Sequence, residues 1–393
     1  MMIRYGKGFC LVAVSILVLS LAVGACAETA AELKPAKITA TANNASVPHM
    51  TDNVYKTSWY AKKGYVQVDM KQGETAYGLY LCHFKQAVKH VIQIPDGKGG
   101  YMDYIHHDEE YLHQYTPLPG VNSFRIAIEQ YDGKNMLNLT ELRVLGAGEL
   151  PDWVQVWETV DKADLLLLSA HPDDELLWFG GTLPTYAGER GKKVQLVYLA
   201  HGDARRKNEL LDGLWTCGIR YYPVIGENKD FMAYNRATIY DAWGGTRRVY
   251  PWYVSILRRV KPEVVLTQDF NGEYGHAAHQ ITAYMTVKCI EYAADPTYDA
   301  KSFDAYGAWQ VKKMYAHLYP ENQIVMDWHQ PLSAFGGKTG LEVAKDALWC
   351  HVSQRALTYQ MLEEGPYDCR LFGLYFTAVG PDVAKNDFFE NIP

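Results

Sequence analysis

Two short stretches concentrate side chains able to hold a metal ion and move protons. One is Ala170-His171-Pro172-Asp173-Asp174-Glu175 and the other is Tyr274-Gly275-His276-Ala277-Ala278-His279. Imidazole and carboxylate both ligate zinc, whose catalytic sites use three protein ligands and keep one position open for water. His171, Asp174 and His279 supply a set of two histidines and one carboxylate. Asp173 is then left over as a general base for a water whose pKa the ion lowers to about 7. His276 can stabilise an oxyanion or protonate a leaving amine, and Tyr274 can add a hydrogen bond to that oxyanion. This donor set also suits other divalent transition metals. Alone, the first motif could be a helix cap, with its carboxylates on the helix dipole. Alone, the second is a common spacing of two histidines. Together they point to metal-assisted hydrolysis of an amide or ester.

The elements around each motif are those that would bring the two together. Asp164–Ala170, with four consecutive leucines, reads as a central strand covered on both faces. Pro172 ends it, and a helix is expected over Glu175–Arg190, close-packed at Gly180-Gly181 and kinked at Pro184. A strand at Glu263–Gln268 precedes the second motif and a helix over Ala277–Ala294 follows it. Both motifs thus sit at strand ends, where open α/β sheets bind ligands. The alternation continues with a strand at Lys193–Ala200, a helix from Arg206 to Cys217 and a strand at Arg220–Ile225. A loop over Asn228–Arg248, a helix at Tyr250–Val260, a strand at Val311–Leu318 and a helix at Val343–Leu362 complete it. Asp203 lies at a strand end, where it could position substrate or cap the next helix.

The two motifs, AHPDDE and GHxxH as they stand here, resemble the PIG-L/LmbE-like family of zinc-dependent de-N-acetylases, over the chain from Ala163 to the mid-300s. The resemblance implies a Rossmann-like α/β fold with a mainly parallel sheet and a substrate containing N-acetylglucosamine. It implies zinc on His171, Asp174 and His279, Asp173 as general base, and His276 and Tyr274 serving the tetrahedral intermediate. The family often has an R-x-x-E where Arg206-Lys207-Asn208-Glu209 stands, which makes Arg206 a substrate contact. It often has an H-x-S-Q where His351-Val352-Ser353-Gln354 stands, as support for the site rather than as ligand.

The chain is multidomain, with 393 residues, 48% hydrophobic and 21% charged. Residues 38–148 read as an all-β sandwich ahead of an α/β domain at 160–393. Strands are expected at Ile38–Thr41, Tyr65–Met70, Ala76–His83, Val88–Ile94, Ser123–Gln130 and Asn138–Leu145. This pattern resembles the galactose-binding-like, discoidin-like superfamily, which leaves open a carbohydrate-binding role or a spacer role. Trp59, Tyr60, Tyr101, Tyr104, His106 and His107 fall in turn-like stretches. Gly146–Pro151 is the linker, and Trp153 and Trp157 are expected between the domains.

Arg4 and Lys7 followed by the apolar run Cys10–Ala25 read as a secretion signal over residues 1–27. Its end reads either as an A-x-A cleavage site or as a lipobox that leaves Cys26 lipidated and anchored to a membrane. Either ending places the protein outside the cytoplasm, secreted or held at the cell envelope. A net charge of −7 gives no support to a nucleic-acid partner. Cys82, Cys217, Cys289, Cys350 and Cys369 show no CxxC spacing and read as buried small hydrophobes. An N-acetylated amino sugar, as a polysaccharide or glycoconjugate, is the expected substrate; the alternative is a surface carbohydrate-binding protein without turnover.

Overall fold

The computed structural model describes residues 28–108, 111–128, 136–356 and 360–393. The signal segment and Cys26 lie outside the described residues, as do the last positions of the strand expected over 123–130.

The four leucines form a strand with no solvent face. Every residue of Leu165–Ser169 (β1) is buried. Leu165 and Leu167 enter the core on one face of a seven-stranded sheet, and Leu166 and Leu168 enter the core on the other. The further strands are β2 (Val194–His201), β3 (Val224–Lys229), β4 (Val264–Thr267), β5 (Lys313–His317), β6 (Gln323–Val325) and β7 (Leu371–Thr377). Their order is β3-β2-β1-β4-β5-β7-β6. β1 to β5 run parallel, and β7 runs antiparallel to both β5 and β6. The chain builds from β1 outward to β3, then returns to lay β4 on the other side of β1. The ends of β1 and β4 are therefore a topological switch point, the natural ligand crevice of such sheets.

The helices are α1 (Asp174–Leu177), α2 (Ala204–Thr216), α3 (Arg236–Ala242), α4 (Thr246–Val260), α5 (Ala277–Ala294), α6 (Ala300–Tyr306) and α7 (Gly340–Leu348). The helix expected over 175–190 is broken after one turn. Gly180 adopts φ +51°, and a Cβ there would lie 2.7 Å from Trp328 Nε1, so only glycine fits both the backbone and the space. A short π-helical turn at Pro184–Glu189 follows. The segment over 228–248 holds α3 and the start of α4, and the strand expected at 220–225 forms later, as β3. The helix expected over 343–362 stops at Leu348 and gives way to a 3-10 turn at Val352–Gln354. No helix among the described residues is long and apolar enough to cross a membrane.

The N-terminal sandwich is two antiparallel sheets. One joins Glu32–Leu33, Leu137–Leu145, Ala76–His83 and His113–Val121, with Trp59–Ala61 also on Leu137–Leu145. The other joins Lys37–Ala40, Tyr65–Asp69, Ser123–Ile128, His90–Pro95 and Tyr101–His107. Val66, Val68, Leu79, Leu81, Phe124 and Ile126 fill the space between them. The sandwich thus starts at Glu32, earlier than expected. Trp59–Ala61 and Tyr101–His107 are strands rather than turns, and Trp59 is fully buried.

Glu141 lies on Leu137–Leu145 and is only 2% exposed. Burial pushes its carboxyl up to about 7, against the pull of Arg143. A carboxyl raised in the folded state holds its proton there after the unfolded chain has released it. Stability from this group is therefore present in acid and lost as pH rises from about 4.5 to about 7. Urea titrations at pH 5 and pH 7.5 should show wild type losing on the order of 2–3 kcal/mol relative to Glu141→Gln across that interval.

The sandwich is seated on α2. Asn208 Oδ1 accepts from His113 Nε2 at 2.8 Å, and Asp212 accepts from Tyr55 Oη at 2.9 Å and from Gln155 Nε2 at 2.7 Å. Trp157 packs edge-on against Trp215 and Tyr222, and Trp153 against Tyr80 of the sandwich. Trp153 thus faces the sandwich, whereas these ring contacts of Trp157 are with the α/β half.

Candidate active site

His171 follows β1 directly, and the chain must turn sharply to bring Asp173 and Asp174 under it. Asp173 takes φ +101°, a conformation that costs a non-glycine residue about 1–3 kcal/mol. Neighbours hold it there. Its N–H donates to Glu175 Oε2 at 2.9 Å, and Arg206 Nη2 lies 3.2 Å from its Oδ2. The second motif arrives after β4 through another left-handed residue, Glu273 at φ +49°, and delivers His276 to the start of α5 with His279 one turn in.

The two strand ends meet. His171, His276 and His279 are all buried, and their ligand atoms lie within 4.8 Å of one another. Asp174 Oδ2 sits 3.0 Å from His171 Nδ1 and 3.3 Å from His279 Nε2, while its Oδ1 accepts from Trp178 Nε1 at 2.8 Å. Zinc bonds of about 2.0–2.1 Å at a tetrahedral angle separate two ligands by roughly 3.3 Å, so the spacing of Asp174 Oδ2 and His279 Nε2 suits a common ion.

The proton inventory makes the same point. Glu273 Oε2 lies 2.7 Å from His279 Nδ1 and fixes the proton on that nitrogen, leaving Nε2 as a lone pair aimed at a carboxylate oxygen. Burial lowers the pKa of this imidazole, but Asp174 and Glu273 outweigh it and raise the pKa, so the space between Nε2 and Asp174 Oδ2 calls for a positive charge, which a metal ion can supply in place of a proton. His171 Nε2, His276 Nδ1 and His279 Nε2 are all buried without a hydrogen-bond partner. Three orphaned imidazole nitrogens beside a carboxylate fit a divalent metal.

The electrostatics divide the two aspartates. Burial raises Asp174, but the imidazoles of His279 and His171 outweigh it and hold the carboxyl well below the usual range. Burial pushes Asp173 up to about 7, with Arg206 opposing and Asp174 adding to the rise. His276 is driven down to about 4 by burial and by its two histidine neighbours. Its Nε2 lies 3.3 Å from the carbonyl of Phe231, so the neutral ring keeps its proton there and leaves Nδ1 bare.

A cavity of about 160 Å3 opens over this cluster, lined by His171, Asp173, Arg206, Tyr274 and His276 among others. Tyr274 stacks on His276 with planes 9° apart. Arg206 lines this cavity. Asp203 does not: it is 61% exposed and caps α2, its Oδ1 accepting from Arg206 N at 3.1 Å. The acid that sequence reasoning missed is Asp230, just past β3, which accepts from Arg206 Nη1 at 2.6 Å and stands 3.3 Å from His171 Nε2. The strand-end rule would have found it had β3 been placed at Val224–Lys229. His276 joins the metal-competent cluster more closely than its expected role required.

Residues 166–290 match the family described as GlcNAc-PI de-N-acetylase, PIG-L. The chain carries a PIG-L domain. The match begins in β1 and ends within α5, so it spans both motifs. A 1D-myo-inositol 2-acetamido-2-deoxy-alpha-D-glucopyranoside deacetylase from Geodermatophilus obscurus is 28% identical over 206 residues, covering 44% of this chain and 66% of that protein. The chain spans just under two thirds of the length of the curated relatives it matches. Among solved structures, the N,N′-diacetylchitobiose deacetylase from Pyrococcus horikoshii aligns with 49% of this chain and 71% of its own, at 18% identity and a TM-score of 0.38. The CBM32 of AlyQ aligns with 30% of this chain and 99% of its own, at 13% identity and a TM-score of 0.25.

Behind the PIG-L cluster lies a support that the motifs do not include. Glu273 lies 2.7 Å from His279 Nδ1 and 3.0 Å from His317 Nδ1, and His317 Nε2 lies 3.1 Å from the carbonyl of Asp368. His317 therefore braces the site and does not line the cavity. A carboxylate behind a ligating imidazole orients it and raises its basicity. Glu273→Gln should weaken metal affinity about 10–100-fold, read by competition with a chelating dye.

Proposed function

We propose that the protein hydrolyses the N-acetyl group of an N-acetylglucosamine-containing glycan or glycoconjugate in a metal-dependent reaction outside the cytoplasm. The observation that carries this reading is the buried group of His171, His276 and His279, each with an orphaned ring nitrogen, packed on Asp174 beside a second, spare carboxylate. The PIG-L match supplies the amide class.

His171, Asp174 and His279 would hold the ion, with zinc the expected metal. When bound, it polarises the amide carbonyl and makes water acidic enough to ionise near neutrality. Asp173, raised to about 7, is suited to take a proton at neutral pH. His276 Nδ1 is the bare nitrogen that can receive a proton and deliver it to the departing amine. Tyr274 closes the cavity wall beside it. Arg206 spends Nη2 on Asp173 and the Pro172 carbonyl and one Nη1 hydrogen on Asp230, which leaves one Nη1 N–H for a sugar hydroxyl.

Acetate release from N-acetylglucosamine and its oligomers, before and after chelation and after zinc is restored, tests the reading. Release that chelation abolishes and zinc recovers is expected. Binding without release would favour a carbohydrate-binding protein instead. Export rests on Arg4, Lys7 and the apolar run to Ala25, and attachment to a membrane rests on Cys26. Cell fractionation of wild type and Cys26→Ser checks both.

A further inference from the structure

Beside the small cavity lies a larger one of about 420 Å3, and the two share Asp173, Leu177 and Gln354 in their walls. Leu177, Leu348 and Met361 give the larger cavity an apolar lining, and Trp349 stands at its edge with 62% of its surface exposed. The indole is held in place. Arg355 lies 5.0 Å from its ring centre, and Arg355 Nε donates to the Trp349 carbonyl at 2.9 Å. The turn below is anchored too, because Ser353 donates through its N–H and its hydroxyl to Glu209 of α2. His351 lines the same cavity and is only 1% exposed. Its Nε2 faces Glu175 at 3.3 Å, and its Nδ1 has no hydrogen-bond partner. His351 thus braces Asp173 through Glu175, but the rigid exposed aromatic face and the apolar lining that adjoin the reaction cleft are not accounted for by the acetyl chemistry.

We propose that this second cavity binds the neighbouring pyranose ring of an amino-sugar chain, stacked on Trp349 with hydroxyls meeting His351 and Gln354. The proposal rests on the deacetylase reading above and narrows its substrate to an oligosaccharide. A pyranose has an apolar C–H face that covers an indole and a polar edge that needs partners. A hydrocarbon tail would leave His351 Nδ1 unsatisfied in an apolar setting, which is costly. The shared wall at Asp173 places the adjoining ring next to the one being deacetylated.

The test compares kcat/KM for N,N′-diacetylchitobiose and for N-acetylglucosamine in wild type and Trp349→Ala. Wild type should favour the disaccharide, and the variant should cut that ratio by about tenfold. Trp349→Phe, which keeps an aromatic face, should recover most of it. A ratio that Trp349→Ala leaves unchanged overturns the proposal. Calorimetric binding of both sugars to the Asp173→Asn protein, with and without Trp349→Ala, gives the same comparison without turnover. A disaccharide preference in binding that depends on Trp349 supports the subsite even if wild type releases no acetate, a result that would overturn the deacetylase reading alone. Equal binding of the two sugars overturns the subsite.

Discussion

Asp173→Asn should lower kcat about 10²–10⁴-fold while leaving metal content at the wild-type level. The asparagine keeps the shape and can still accept from Arg206, but it cannot take up a proton. It also keeps the fold, because asparagine tolerates positive φ better than most residues and position 173 sits at φ +101°. The chelation-reversible acetate assay reads the activity, and elemental analysis reads the metal. Loss of metal in this variant would move Asp173 from proton carrier to ligand. Activity within a few-fold of wild type would remove it from the chemistry.

His279→Ala should cost more than activity. It deletes the nitrogen that faces Asp174 and strips Glu273 of one of its two imidazole partners. Metal affinity should fall by more than the roughly 10–100-fold expected for a supporting group. Glu273 keeps His317 and the Asp269 N–H at 3.0 Å, so it is not left isolated. The folded state should therefore lose only about 1–3 kcal/mol, measured by denaturant melts of the metal-free protein. A variant that keeps full metal occupancy after dialysis would show that the ion is held by some other set.

Much of this site was legible in the sequence because its parts lie at abrupt changes of pattern. The leucine run of β1 has no period and must be buried on both faces, so the polar residues after Pro172 could only be at its tip. Helix α5 was found residue for residue because His276 to Ala294 has no glycine or proline to interrupt it. Where the reading failed, tertiary contacts had overruled local pattern. The helix after Glu175 stops where Gly180 turns left-handed, at a spot where Trp328 and Cys369, both far away in sequence, leave no room for a side chain. β7 was invisible because its pairing with β5 closes across more than fifty residues. Asp230 was missed because β3 carries polar residues from Gly226 onward and does not look like a strand. Glu273 hides between the motifs, and its role shows only once His279 and His317 converge on it.

Helix α2 serves two masters. Its first turn sends Arg206 into the catalytic cleft, and its next turns offer Asn208 and Asp212 to the sandwich. The α/β half is thus no detachable cartridge. An excised fragment from residue 160 onward would bare the seam that His113, Tyr55 and Gln155 now cover, on the same rod that aims the Arg206 guanidinium at the cavity. Anyone trimming the chain for crystallisation or for a smaller catalyst should expect the loss to surface as poor substrate affinity before it surfaces as unfolding.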